Sequence, residues 1–232
     1  GAVQSVLATA VAIVALGALV PGDLALGPRE QLMSALLGAG LALAVLARAS
    51  LGPARVARRI LEEIRRQMRH RPASTEAGGA RSEPPDYAAC IELTARLSLR
   101  GMLAPALLAC GPPFLFLVGL RFARDGDKGV AALASVASFL VGAAVVGSLG
   151  GLFGAHVGAL WGNAKKYIVT GAHGGRLLVD DTGSRTENPT FVAAVVGDTV
   201  GDSLKDVVVP VAQLFLRLLP TLALVLWPLL FP

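Results

Sequence analysis

The sequence predicts an all-α fold, a polytopic bundle of about five membrane-spanning helices, and three observations carry that expectation. Of its 232 residues, 54% are hydrophobic and only 16% are charged, against about 25% charged in a soluble globular domain. Mean hydropathy is +0.64. The few charges stand in short blocks that divide the chain into long uncharged runs. Each run approaches the roughly 20 residues that a helix needs to cross a hydrocarbon core about 30 Å thick. Aromatics are scarce at 5% while glycines number 27, a mixture that suits helices packed closely in lipid.

The runs follow in order. Gly1–Gly22 is uncharged until Asp23, Gln31–Ala47 lies between Glu30 and Arg48, and Gly101–Leu120 lies between Arg100 and Arg121. Gly129–Ala164 is uncharged with His156 neutral, and Val207–Pro232 carries only Arg217. The whole of 1–232 therefore reads as one transmembrane helical region, with a basic helix and linker at 52–97 and a loop at 162–190. A formal charge of +5 does not point to nucleic acid, because the basic residues form no stripe with interleaved aromatics. They cluster in particular loops, which is how topology is encoded. Cys90 and Cys110 have neither CxxC nor metal-ligand spacing. The chain opens Gly1-Ala2-Val3-Gln4 inside an apolar run, and without a basic leader it is expected to be part of a longer polypeptide.

Orientation follows from the loops. Arg48–Arg100 holds eleven Arg and six acidic residues, so it is expected on the cytoplasmic side. Alternation then places Asp23–Glu30 and Arg121–Lys128 outside, Gly162–Thr190 inside and the C-terminus outward. Within the first inner segment, Val56, Ile60, Ile64 and Met68 recur at steps of four among arginines and glutamates. Pro53–Arg71 is thus either a lipid-surface helix or the solvated extension of the second span. Pro72–Pro85, rich in Pro, Ala, Gly, Ser and Glu, reads as a flexible connector.

The fourth run is too long for a perpendicular span, since its 36 residues would make a helix of about 54 Å. It carries Gly150, Gly154, Gly158 and Gly162 at four-residue steps, with Gly147 and Gly151 as a second pair. These are expected to pack against a neighbouring helix. His156 on the same run is either a hydrogen-bonded packing residue or a proton relay.

Chemistry concentrates in Val195–Asp206. Asp198, Asp202 and Asp206 recur at i, i+4 and i+8, and Lys205 adjoins the last. On a regular helix these four side chains fall within an arc of about 100°. Three carboxylates on one face repel unless they share a cation, and Mg²⁺ prefers carboxylate and water oxygens. A lysine in the same arc is suited to phosphate as a point charge. Together these are the parts of phosphoryl chemistry. A solvated helix start, with acids favoured by the dipole, is the plain alternative. It is weakened by the apolar flanks Phe191–Val196 and Val207–Pro210, because ionisable groups within a span suggest function. A second cluster, Asn163, Lys165 and Lys166, ends the fourth run. It brackets the same inner loop as the aspartates, so both clusters can meet around one anion.

Four ordered segments resemble the membrane-bound, ion-translocating inorganic pyrophosphatases. Trp161–Ile168 is similar to that family's GGAWDNAKKYIE, and Val195–Asp206 to its VVGDTVGDPFKDT. Glu62–Gln67 resembles EEVRRQF, and Pro85–Arg96 resembles PDYxxCVEISTKAA. The resemblance covers roughly residues 30–220. It implies the last five helices of a sixteen-helix, homodimeric pump that hydrolyses Mg-pyrophosphate at the cytoplasmic side and moves H⁺ or Na⁺ outward. By position, Asp198, Asp202 and Asp206 would bind Mg²⁺ or orient the attacking water, with K⁺ a further candidate cofactor. Lys165, Lys166 and Lys205, with Asn163, would hold pyrophosphate. Arg217 stands where the family has a lysine near its ion gate. An arginine alone among Leu and Phe needs an acidic partner, expected from a helix outside this chain. The partners implied are pyrophosphate, membrane lipid, the remaining helices of the same pump and a second copy.

The departures are specific. Gly162 replaces the family's aspartate, Ser203 a proline, Val207–Val209 a Thr-Ser-Gly run and Gln213 an asparagine. The alternative they raise is a relative that has lost hydrolysis and serves as a membrane binding or assembly module. A third reading, a small five-span transporter subunit with an acidic cation site, requires function in this chain alone.

Overall fold

A computed structural model describes residues 28–69, 85–123, 128–179, 181 and 183–231, together with isolated helical positions before residue 19. Most of the expected first span, Gly1–Gly22, and nearly all of the connector Pro72–Pro85 lie outside the described residues. Four long helical stretches follow: α1 (Pro28–Arg69), α2 (Tyr87–Ala123), α3 (Lys128–Val169), and a continuous run of α4 (Pro189–Ser203), a π turn (Leu204–Val208) and α5 (Val209–Leu230). Four helices among the described residues are long and apolar enough to cross a membrane. In lipid each backbone polar group must be satisfied within its own segment, so an uncharged run has little choice but to be helical. Pro105, Pro112 and Pro113 lie inside α2 without ending it.

The 42 residues of α1 span about 63 Å at 1.5 Å per residue, roughly twice the hydrocarbon thickness. Its basic half is thus the solvated continuation of the span, and no separate surface helix forms. The 42-residue α3 likewise runs on to Val169, eight residues into the stretch expected as loop. The rest of that stretch holds a short helical turn at Ala172–Gly174. It is followed by an exposed hairpin of β1 (Leu177–Val179) and β2 (Arg185–Glu187), antiparallel with Leu177 opposite Glu187.

α3 is the centre of the bundle, packed on α1, α4 and α5, while α2 lies against α1 and α5. The core joins Leu41 and Val45 of α1, Leu133, Val136 and Leu140 of α3, and Phe215, Leu219 and Trp227 of α5. Phe116 of α2 stacks on Phe139 of α3 with ring centroids 4.6 Å apart. The glycines of α3 are used as expected, but on two faces. Gly150 receives Leu46 of α1, whereas Gly147, Gly151, Gly154 and Gly158 receive Leu216, Ala212, Val209 and Gly201 in succession. The last helix thereby runs antiparallel along α3 like one side of a zip.

A second crossing had no periodic signal in the sequence. A Cβ at Gly38 would lie 2.0 Å from the Phe139 carbonyl oxygen, and one at Gly142 would lie 2.0 Å from that of Ala35. Only glycine permits backbones to approach so closely, and this reciprocal pair fixes where α1 crosses α3.

The end of α1 and the start of α2 are tied by one amide. Gln67 Nε2 donates to Glu63 Oε1 (2.9 Å) and to the Asp86 carbonyl (3.1 Å), while the Asp86 N–H donates to Gln67 Oε1 (3.1 Å). Asp86 in turn caps α2 by accepting from the Ala89 N–H. The hydrogen bonds from Arg66, and then that from Gln67, lower the Glu63 carboxyl to about 2 from an ordinary 4.5. A depressed carboxylate contributes fully above its unfolded pKa and is lost as pH falls through the folded one. Glu63→Gln is therefore expected to weaken the α1–α2 tie at pH 7 and to abolish its decline between about pH 4.5 and 2. Amide exchange in the first turn of α2 across that range would report it, and an unchanged profile would contradict the assignment.

Candidate functional site at the paired ends of α3 and α4

The site is assembled where α3 leaves and α4 enters the bundle. Approach is set by glycine: a Cβ on Gly158 would lie 2.5 Å from the Gly201 carbonyl oxygen and 2.7 Å from Lys205 Cβ. One turn further, the Trp161 ring covers Gly197 so closely that a Cβ there would lie 2.3 Å from it. Gly197 and Gly201, four residues apart inside the aspartate motif, form the small-residue stripe that answers α3. Their spacing was visible in the sequence but was passed over beside the acids.

This contact brings Lys165 of α3 onto Asp198 of α4, whose Oδ2 it meets in an ion pair. Asp198 is the buried member, its side chain only 9% exposed, against 51% for Asp202 and 62% for Asp206. Lys205 lies between the two exposed acids, with Nζ 3.1 Å from Asp202 and 3.8 Å from Asp206. The predicted acidic face is thus divided into a buried lysine-paired acid and an exposed Asp–Lys–Asp group. Asn163 and Lys166 are exposed at the same end of α3. Among the described residues Lys166 has no carboxylate partner. Arg217 is exposed on α5, three turns below. No three His, Cys, Asp or Glu among the described residues converge as a metal-binding group.

The division has a local cause. Leu204–Val208 is a π turn in which the Val209 N–H reaches the Leu204 carbonyl, five residues back. Pro210 explains it: proline has no N–H, and in a regular helix its ring would clash with the Asp206 carbonyl four residues earlier. The wide turn relieves that clash and displaces Asp206 from the strict i, i+4 ladder. Such turns are frequent at functional sites.

Asn188 was not singled out in the sequence. It is 2% exposed and fully used: its Nδ2 donates to the carbonyls of His173 (2.8 Å) and Gly175 (2.7 Å), and its Oδ1 accepts from the Thr190 N–H (3.0 Å). It therefore caps α4 and pins the turn that leaves α3. That turn needs pinning, since Gly171, Gly174 and Gly175 have φ of 107°, 90° and 72°, and His173 has φ 51°. The Asn-Pro pair at 188–189 is a helix-start signal that could have found it. Arg176 lies over the Phe191 ring, 5.7 Å from its centroid, and adds a second tie. Asn188→Ala should take the side-chain partner from two carbonyls and one amide and remove the cap of α4, costing on the order of 1 kcal/mol. Proteolysis within 171–187 should then accelerate with helix content unchanged; equal rates would contradict this role.

His156 Nδ1 donates to the Leu152 carbonyl, 2.8 Å away, with its ring on an exposed face. It is hydrogen-bonded but not packed in the bundle.

Comparison with known proteins agrees with the geometry. Residues 2–226 match the family described as inorganic H⁺ pyrophosphatase. The pyrophosphate-energized membrane proton pump 3 of Arabidopsis thaliana is 37% identical over 202 residues, which is 86% of this chain and 23% of that protein. A K⁺-insensitive pyrophosphate-energized proton pump of Moorella thermoacetica is 32% identical over 87% of this chain and 26% of its own length. A putative K⁺-stimulated pyrophosphate-energized sodium pump of Clostridium tetani is 32% identical over 75% of this chain and 22% of its own. The chain thus spans about a quarter of the length of these relatives. With the family match running over residues 2–226 and a relative 37% identical over 86% of the chain, this chain belongs to the inorganic H⁺ pyrophosphatase family of integral membrane proteins.

Proposed function

We propose that this chain is a portion of a membrane pump that hydrolyses Mg-pyrophosphate and couples the hydrolysis to transport of H⁺ or Na⁺. The observation that carries this reading is the Lys165–Asp198 ion pair joining two glycine-packed helices, with the exposed Asp202–Lys205–Asp206 group on the same helical run as Asp198. Lys165 and Lys166 on α3 and Lys205 on the π turn suit a compact polyanion, whose charge they would neutralise as point charges. Asp202 and Asp206 fit a hard divalent cation, being exposed oxygen donors about one turn apart. Bound Mg²⁺ would supply charge neutralisation on the phosphate oxygens. Asn163 offers an amide donor at the same rim, and K⁺ is a further candidate in the opening.

The sidedness follows the arginines: Arg48–Arg100 and the loop around the hairpin face the cytoplasm, and the C-terminus faces outward. Remaining helices of the same pump cover the lipid-apolar faces and supply the acids that Asp202, Asp206 and Arg217 would work with. The pump acts as a homodimer. Gly162, which leaves Asp198 to Lys165, favours a second reading, a relative that binds pyrophosphate without turning it over. Sealed vesicles containing the full natural polypeptide distinguish the two. Mg-pyrophosphate should drive ion accumulation and release phosphate, and tight binding without either would establish the second reading.

A further inference from the structure

At one point the acidic face does not suit a divalent cation. Asp198 directs Oδ2 to Lys165. Its Oδ1 points over Gly162, where a Cβ would lie 3.1 Å away. Position 162 is thus the place from which a side chain would meet Asp198 directly, and it holds glycine. Two carboxylates in contact need a cation between them, or one must take up a proton. One carboxylate and one ammonium need neither.

Charge therefore separates the two halves of the face. Asp198 and Lys165 sum to zero in a corner where Asp198 is almost excluded from solvent. Asp202, Lys205 and Asp206 sum to −1 where both carboxylates are more than half exposed. Each group holds a lysine, but at the second a divalent cation would displace an exposed lysine from exposed carboxylates, and at the first it would have to displace a lysine from a buried partner.

Resting on the pyrophosphatase reading above, we infer that Asp198 is a positioning residue and not a metal ligand here: it holds the Lys165 ammonium at the mouth of the site, and Gly162 leaves this site one divalent cation short of one with a carboxylate at that position. Metal loading then belongs to Asp202 and Asp206, and Lys165 is fixed by the protein's own carboxylate.

The test uses Mn²⁺ as the probe, counted by electron paramagnetic resonance on the full natural polypeptide in its membrane. Gly162→Asp is expected to bind one more Mn²⁺ per chain than wild type, and the isosteric Gly162→Asn the same number as wild type. Asp198→Asn should bind the wild-type number, whereas Asp202→Asn should bind fewer. Asp198→Asn should also raise the KM for pyrophosphate, and Asp198→Glu should restore it in part, because an acid there can still hold Lys165. Loss of a bound Mn²⁺ in Asp198→Asn, or no gain in a well-folded Gly162→Asp, overturns the inference. Should Gly162→Asp fail to fold, the Asp198→Asn count decides alone. Absence of Mn²⁺ and of pyrophosphate hydrolysis in wild type overturns the underlying reading instead, so the two failures are distinguishable.

Discussion

Gly158→Leu is expected to abolish pyrophosphate-driven transport and to destabilise the bundle. The substituted Cβ would lie 2.5 Å from a backbone oxygen of Gly201 and 2.7 Å from Lys205 Cβ. Backbone cannot yield as a flexible side chain does, so α3 and α4 must separate. Overpacking of this kind costs about 1–3 kcal/mol in ordinary cores, and a rigid backbone neighbour puts this case at the upper end. The separation acts where Lys165 meets Asp198, one turn away, so substrate binding should fail before global unfolding. Comparison with Gly40→Leu, at a glycine with open space around it, separates the effect from that of added bulk. Equal thermal stability and transport in both variants would contradict the close crossing.

Lys205→Ala should lower pyrophosphate hydrolysis by on the order of 100-fold, the scale of losing one preorganised donor to a developing charge. Two consequences combine. Asp202 and Asp206 lose the ammonium between them, and the substrate loses a positive point charge. Divalent-cation binding should survive or strengthen, since the group then sums to −2 instead of −1, while pyrophosphate affinity falls. Lys205→Arg should recover only part of the loss, because a planar fork does not replace a compact ammonium. A variant that lost metal and kept pyrophosphate affinity would reverse the assignment of Lys205.

The spans were legible because lipid leaves few alternatives: Gln31–Ala47, Gly101–Leu120 and Gly129–Ala164 lie within observed helices, and Val207–Pro232 is helical as far as Leu230. The glycine row on α3 was legible for the same reason, small residues at helical spacing having one common use. What escaped notice was non-local. Gly38 and Gly142 have no other glycine four residues away in their runs, and only the crossing of α1 on α3 makes them a pair. The π turn arises from Pro210, four residues after the acid whose register it alters. Asn188 lies in the inner loop, whose hairpin and left-handed turn have no helical period to read. The neighbourhood of Lys165 and the aspartates was foreseen from their bracketing of one loop. The charge division within it was not, since spacing alone says nothing of which acid faces Gly162.

The most direct measurement is Mg²⁺-dependent phosphate release from pyrophosphate, on membranes carrying the full natural polypeptide, wild type beside Asp202→Ala. Release by wild type, reduced at least about 100-fold by the substitution, is the result the account predicts. Well-folded wild type that binds Mg²⁺ and pyrophosphate but releases no phosphate would contradict it, leaving the Asp–Lys–Asp group as a binding site and the pump as ancestry.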